Sequence, residues 1–243
     1  MTTLVRILIL FLITLFFTSC GFEINMDGFG DGIKGNGEVV SEKRSTNAAF
    51  TKVSAQEGLN VYVTQADEYD IKVEADDNVI DLIGIDIEDG RLKIHAIENI
   101  GKATKNIYVS MPKITSLKSS SGANLSSENE INSDKLVVDG SSGANINLDV
   151  NANEIEIDAS SGANLNLKGK ADETNIDASS GGNIDAKRLE TEYCDADASS
   201  GGNLSVHVNK NLNADASSGG NISYSGDAKV KHNKMVSGSI TKR

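Results

Sequence analysis

One short phrase, Ser-Ser-Gly followed by Ala or Gly and then Asn, occurs six times in the second half of this chain. Its asparagines are Asn124, Asn145, Asn164, Asn183, Asn203 and Asn221. The intervals between them are 21, 19, 19, 20 and 18 residues, and such a period is typical of supersecondary units that stack on one another. The repeat therefore predicts a solenoid over about residues 114–240.

Apolar residues alternate with polar ones on both sides of each phrase. Ile155 and Ile157 precede the third copy between acidic residues, and Leu165 and Leu167 follow it on either side of Asn166. A period of two indicates strands with one face in a core and the other in water. With rungs of 18 to 21 residues, the pattern predicts an all-β, single-domain parallel β-helix.

The phrase itself has the composition of a tight turn. Its third residue is always Gly and its fourth is Ala or Gly, because a larger side chain would crowd the bend. We expect each Asn to adopt a left-handed backbone and to bond to its equivalents above and below, which would make the six asparagines a structural ladder. Gly238, in Val-Ser-Gly-Ser-Ile, resembles a degenerate seventh turn.

Residues 41–118 show a less regular β pattern. The alternating segments 59–63 and 71–75 predict a strand and its partner, and Asp89-Gly90 between two further segments is a strong hairpin signal. Val79, Leu82 and Ile83 have helical spacing after residues 76–78, so we expect one short capped helix there.

The N-terminus has the features of a lipoprotein export signal. Arg6 precedes an apolar run that is too short to span a bilayer, and Thr-Ser-Cys-Gly at 18–21 fits processing at Cys20. We therefore predict a signal peptide over residues 1–19, lipid attachment at Cys20, a Gly-rich tether over 20–40 and the folded domain over 41–243. The expected location is the cell envelope, with lipid anchoring in the outer membrane of a Gram-negative bacterium.

The chain is acidic, with a net charge of −12. This balance opposes nucleic acid as a partner. The expected partners are the membrane, reached through the lipid, and an envelope protein or a glycan. Cys194 falls on the inward face of its strand, where we expect a buried thiol rather than a redox site.

No catalytic constellation is visible in the sequence. The three histidines lie far apart and belong to no metal or nucleophile motif, and there is no G-x-S-x-G elbow. The one row of oxygen ligands is an outward column of aspartates, which we expect to take hydrogen bonds from the turns and regard as weak candidates for a Ca²⁺ site. These are Asp139, Asp158, Asp177, Asp197 and Asp215. We accordingly predict no catalytic residue, no resident metal and no cofactor.

Several motifs in a fixed order resemble a known bacterial family. They are Gly-Leu-Asn-Val-Tyr-Val at 58–63, Tyr-Asp-Ile-Lys-Val-Glu-Ala-Asp-Asp at 69–77, Gly-Arg-Leu-Lys-Ile at 90–94, Val-Ser-Met-Pro at 109–112 and the Ser-Gly-Ala-Asn-Leu turns. The chain resembles the family described as putative autotransporter adhesin, head GIN domain, over about residues 41–240. The resemblance implies an exported β-solenoid, often on lipoproteins, and supplies no catalytic residues.

From these features we expect a non-catalytic adhesion or scaffold module on the cell envelope. Two alternatives stay open at this point. A cation-dependent glycan-binding protein would use the aspartate column, and a polysaccharide lyase would need a walled, basic groove that rungs of such uniform length do not supply.

Overall fold

The structure is a computed structural model that describes residues 31–46, 48–232 and 237–243. The chain divides into two units after Gly32, and the second, Ile33–Arg243, is compact and holds nearly all of the described residues. The predicted signal peptide, Cys20 and the first part of the predicted tether therefore lie outside the described residues. The second unit begins within the segment that we assigned to the tether, and it contains the whole predicted repeat.

Strands account for 65% of the structure and helix for 1%, which confirms the prediction of an all-β solenoid. The described residues contain 17 strands. In chain order they are β1 (Val39–Lys43), β2 (Lys52–Ala55), β3 (Asn60–Gln65), β4 (Asp70–Asp76), β5 (Ile83–Glu88), β6 (Arg91–Ala96), β7 (Lys105–Met111), β8 (Ser116–Ser119), β9 (Asn124–Ser127), β10 (Ile131–Gly140), β11 (Asn145–Ala159), β12 (Asn164–Ala178), β13 (Asn183–Ala198), β14 (Asn203–Ala216), β15 (Asn221–Ser225), β16 (Lys229–His232) and β17 (Ser239–Lys242).

Each repeat forms one rung whose strand segments stack in parallel on those of the next rung. Strands β11 to β14 each run through the rung from one Ser-Ser-Gly turn to the next. The segment after a turn stacks into what we call the post-turn sheet, and the segment before the next turn stacks into the pre-turn sheet. A Cβ added to Gly140 in the pre-turn sheet would meet Leu165 of the post-turn sheet. The inward faces of the two sheets therefore bury the core between them.

The first half of the chain extends this stack, but not in sequence order. β2 pairs in parallel with both β6 and β8, and β3 pairs in parallel with both β7 and β9. Antiparallel strands then cover this end, since β5 pairs with β6, β4 with β7 and β1 with β4. The prediction that segment 71–75 is the partner of 59–63 is wrong. β7 lies between β3 and β4 and pairs with both, so β3 and β4 do not pair with each other.

Two local predictions in this half have different outcomes. β5 and β6 form the expected hairpin, and Asp89 and Gly90 have φ values of 50° and 69° as a type I′ turn requires. The expected capped helix is only a 3-10 turn over Ile80–Leu82, and no side chain caps it. The residue at the N-cap position is Val79, whose side chain cannot accept a hydrogen bond. The carboxylate of Asp76 accepts hydrogen bonds from the backbone N–H groups of Gly37 and Thr104.

A seventh turn closes the other end of the stack. Ser237 has a φ of 59°, and its carbonyl accepts a hydrogen bond from the N–H of Gly219. β17 follows this turn and pairs in parallel with β15. Among the residues that the structure describes, no helix is long and apolar enough to cross a bilayer.

Candidate functional site

The six Ser-Ser-Gly phrases form type I′ turns. In the first copy, the N–H of Ala123 donates to the carbonyl of Ser120 over 3.1 Å, and Ser121 and Gly122 both have positive φ. The second serine of every phrase has a φ between 47° and 52°. The expectation that Asn takes the left-handed backbone is therefore wrong. The turn places Asn one residue beyond the bend, at the start of a strand.

From that position the asparagines form one column along the post-turn sheet. The strand register aligns all six predicted residues, and each side-chain NH₂ donates to Oδ1 of the asparagine in the preceding rung. The five distances, from Asn145 to Asn221, are 3.0, 3.4, 3.3, 3.0 and 3.1 Å. An amide can both donate and accept, so identical residues at the strand spacing satisfy one another.

Two further asparagines that the repeat does not reveal extend this amide ladder. Asn124 donates to Asn60 over 2.9 Å, and Asn60 donates to Asn106 over 3.0 Å. The turn before Asn60 has the same geometry as the repeat turns, with Glu57 and Gly58 at positive φ. The signal that would have found both asparagines is a shared pattern, Asn-Val-Tyr-Val at 60–63 and Asn-Ile-Tyr-Val at 106–109.

The same pairing brings together two tyrosines that the sequence analysis missed. Tyr62 and Tyr108 are Cα partners on the outer face, and their rings stack with centroids 5.1 Å apart and an angle of 18°. Nζ of Lys72 lies 5.2 Å from the centroid of the Tyr108 ring. Burial, followed by the nearby Glu74, raises the pKa of Tyr108 above its usual value. The post-turn sheet thus combines amides, hydroxyls and an aromatic pair.

The pre-turn sheet carries the aspartate column. The register places the five predicted residues side by side, and Lys118 ends the column with Nζ 2.8 Å from Oδ2 of Asp139. Burial raises the pKa of Asp158 above its usual value, and repulsion from its acidic neighbours adds to the effect. Burial followed by Asp215 and Asp177 does the same for Asp197. Carboxylates at the strand spacing of about 4.8 Å repel one another, unlike the amides.

A shallow groove of about 400 Å³ lies on this acidic face. It is lined by Glu154, Glu173 and Asp195 together with Tyr193 and neighbouring polar residues. Within the described ranges, no group of three or more His, Cys, Asp or Glu side chains is arranged to hold a metal ion. In this part of the chain the groove therefore has no preformed cation site, and the two lysines beside its lining are already engaged, Lys135 with Glu154 and Lys210 with Glu192 and the ring of Tyr193.

The remaining reactive side chains are placed where they do not work together. Cys194 is buried, and burial raises the pKa of its thiol to about 12. Nδ1 of His207 lies 2.9 Å from Oγ of Ser225, and Nδ1 of His95 lies 3.6 Å from Asp86. These histidines are on different strands and in different sheets, so they form no joint catalytic group.

Comparison with known proteins agrees with this geometry. The sequence profile of the family described as "Putative auto-transporter adhesin, head GIN domain" matches residues 49–228. A comparison with curated protein sequences gave no match.

Solved structures share the fold at low sequence identity. A putative adhesin from Bacteroides fragilis is 18% identical with a TM-score of 0.79, and the match covers 87% of this chain and 100% of that one. A putative adhesin from Parabacteroides distasonis is 21% identical with a TM-score of 0.70 and the same coverage. A putative lipid binding protein from Parabacteroides distasonis is 20% identical with a TM-score of 0.64, covering 87% of this chain and 99% of that one.

Proposed function

Because the chain belongs to the family of the head GIN domain of putative auto-transporter adhesins, we propose that it is an exported adhesion or scaffold module of the cell envelope and is not an enzyme. The observation that carries the proposal is the uninterrupted post-turn surface. Eight asparagines in consecutive rungs stand on it at the strand spacing and are joined by side-chain hydrogen bonds. Such a surface offers many equivalent contacts without any reacting group.

The non-catalytic role is supported by where the polar side chains lie. The titratable groups spread over two sheets as columns, and among the described residues they do not converge in a pocket around a nucleophile or a metal. General acid–base and nucleophilic catalysis both need such convergence. The proposed partners are an envelope protein or a glycan, whereas the acidic balance of the chain opposes nucleic acid.

Anchoring by lipid at Cys20 is the second part of the proposal. The support is the short apolar segment followed by Thr-Ser-Cys-Gly, since an acylated cysteine would hold an exported domain at a membrane. The proposed site of anchoring is the outer membrane.

The anchoring experiment compares two cysteine variants expressed in a Gram-negative host. With Cys20→Ala we expect the protein to leave the membrane fraction, and mass spectrometry of the wild type should find the lipid on residue 20. Cys194→Ala is the matched control and should remain in the membrane fraction. Membrane retention of Cys20→Ala would refute the anchor.

The adhesion experiment measures the attachment of cells to surfaces coated with protein or with oligosaccharide. Deletion of the gene for this chain should lower attachment, and complementation with the wild type should restore it. Attachment to every surface that is unchanged by the deletion would refute the adhesion function.

A further inference from the structure

A trough on the post-turn sheet begins beside Tyr62. The stack of rings ends there, because Tyr108 and then Lys72 lie on one side of Tyr62. On the other side, the Cα partner of Tyr62 is Ser126. The outward side chain therefore changes from a large aromatic ring at Tyr62 to a small hydroxymethyl group at Ser126, the first residue of the trough in this column.

The floor of the trough continues from Ser126 along the same column. Asn147 and Asn166 follow in the next two rungs, with a hydrogen bond of 3.2 Å between their amides. Together with Ser126 they line a cavity of about 190 Å³ that reaches as far as Arg188. Four rungs at the strand spacing span about 14 Å, which suits a short extended ligand rather than a single small ion.

The charges in the trough balance one another. Its lining contains two carboxylates, Glu128 and Asp149, and two cations, Lys168 and Arg188. Nζ of Lys168 is 2.9 Å from Asp149, whereas Arg188 is exposed and forms no ion pair within the described residues. On a chain with a net charge of −12, this formally neutral trough complements an uncharged polar ligand, in contrast to the acidic groove of the pre-turn sheet.

We propose that this trough binds a neutral oligosaccharide, with one sugar ring stacked on Tyr62. The inference rests on the adhesion function proposed above and names the chemistry of the partner. The C–H face of a pyranose is weakly positive and packs on the negative face of an aromatic ring. Sugar hydroxyls both donate and accept hydrogen bonds, as do the hydroxyl of Ser126 and the amides of Asn147 and Asn166. Arg188 supplies further donors at the far end.

The test uses the full-length chain, purified in mild detergent, on a printed array of neutral and acidic oligosaccharides. We expect selective binding to neutral structures without added cations. Tyr62→Ala should weaken binding to the best array ligand at least ten-fold, whereas Tyr62→Phe should stay within about two-fold because it keeps the ring. Tyr193→Ala is the matched control, since Tyr193 is an exposed tyrosine on the pre-turn sheet, and it should bind as the wild type does.

A second variant keeps the test decisive if Tyr62→Ala fails to fold. Ser126→Gln leaves the ring in place and puts a larger side chain beside it, so it should also weaken binding at least ten-fold, while thermal melting shows an intact fold. The site is refuted by a silent array, by binding only to acidic glycans, or by binding that Tyr62→Ala and Ser126→Gln leave unchanged.

The failure of this site and the failure of the adhesion function have different signatures. Cells that attach to protein-coated surfaces through this chain, together with a silent glycan array, would overturn the trough and leave adhesion standing. Selective glycan binding together with attachment that is unchanged by deletion would overturn adhesion and leave the trough standing.

Discussion

Replacing Gly182 with alanine is expected to destabilise the solenoid, although three of the six phrases carry alanine at this fourth position. A Cβ on Gly182 would lie 2.3 Å from the carbonyl oxygen and 2.6 Å from the carbonyl carbon of Ala159. Both atoms belong to the backbone of the neighbouring rung, so the rung itself would have to move. Overpacking costs about 1–3 kcal/mol, and the loss of glycine's freedom in the unfolded chain offsets about 0.4–1 kcal/mol of this. We expect a net loss of about 1–2 kcal/mol.

Urea unfolding monitored by far-ultraviolet circular dichroism measures this change. The midpoints can be compared if the unfolding free energies of the two proteins depend on urea concentration with the same slope. Ser180→Gly is the matched control in the same turn, because Ser180 has a φ of 48° and glycine relieves left-handed strain. It should be at least as stable as the wild type. The reverse change, Ala163→Gly, should also destabilise, since Ala163 is fully buried. A midpoint for Gly182→Ala at or above that of the wild type would show that the rungs are not as close as the structure has them.

The remaining predictions concern the ladder, the aspartate column, the buried thiol and cations. Asn164→Ala removes the donor to Asn145 and the acceptor for Asn183, so urea unfolding should show a loss of about 1–2 kcal/mol. Asp197→Asn should be more stable than the wild type at pH 7. This advantage should shrink as the pH falls, because the pKa of Asp197 is raised by folding and protonation then stabilises the wild type. Unfolding curves at several pH values test the trend, and an advantage that is constant with pH would contradict it. Cys194 should not react with a thiol reagent at pH 8 until urea unfolds the chain, since its pKa is about 12. Millimolar Ca²⁺ should leave the melting temperature unchanged. A higher melting temperature with Ca²⁺ would indicate that the aspartate column binds the metal.

The fold of the regular half of the chain could be predicted from its sequence because each rung repeats the same short sequence pattern. Alternating apolar residues give strands, and Ser-Ser-Gly with a small fourth residue gives the bend. What could not be predicted was which residue of the turn takes the left-handed backbone. The second serine of each phrase takes the left-handed backbone, and the asparagine three residues later is left in an extended strand where its side chain joins the ladder.

The fold of the first half was harder to predict from the sequence because its strands pair with partners that are distant along the chain. β3 and β4 are adjacent in sequence, yet β7 lies between them in the sheet. The same distant pairing creates the Tyr62–Tyr108 stack, whose members lie 46 positions apart like the Asn60–Asn106 pair in the same strands. The position of Tyr62 beside the candidate trough therefore could not be predicted from the repeats alone.

Two adjacent columns of the post-turn sheet follow different physical rules. The first column repeats asparagine in eight rungs, because only a neutral group that both donates and accepts can bond to its own copies at the strand spacing. The second column changes from tyrosine to serine, asparagine, aspartate and serine along the stack. Since the backbone ladder sets the spacing of the rungs, the outward side chains of the second column can vary without loss of the fold. Variation on a fixed spacing is what a recognition surface needs, and it is the second column that contains Tyr62 and the floor of the trough.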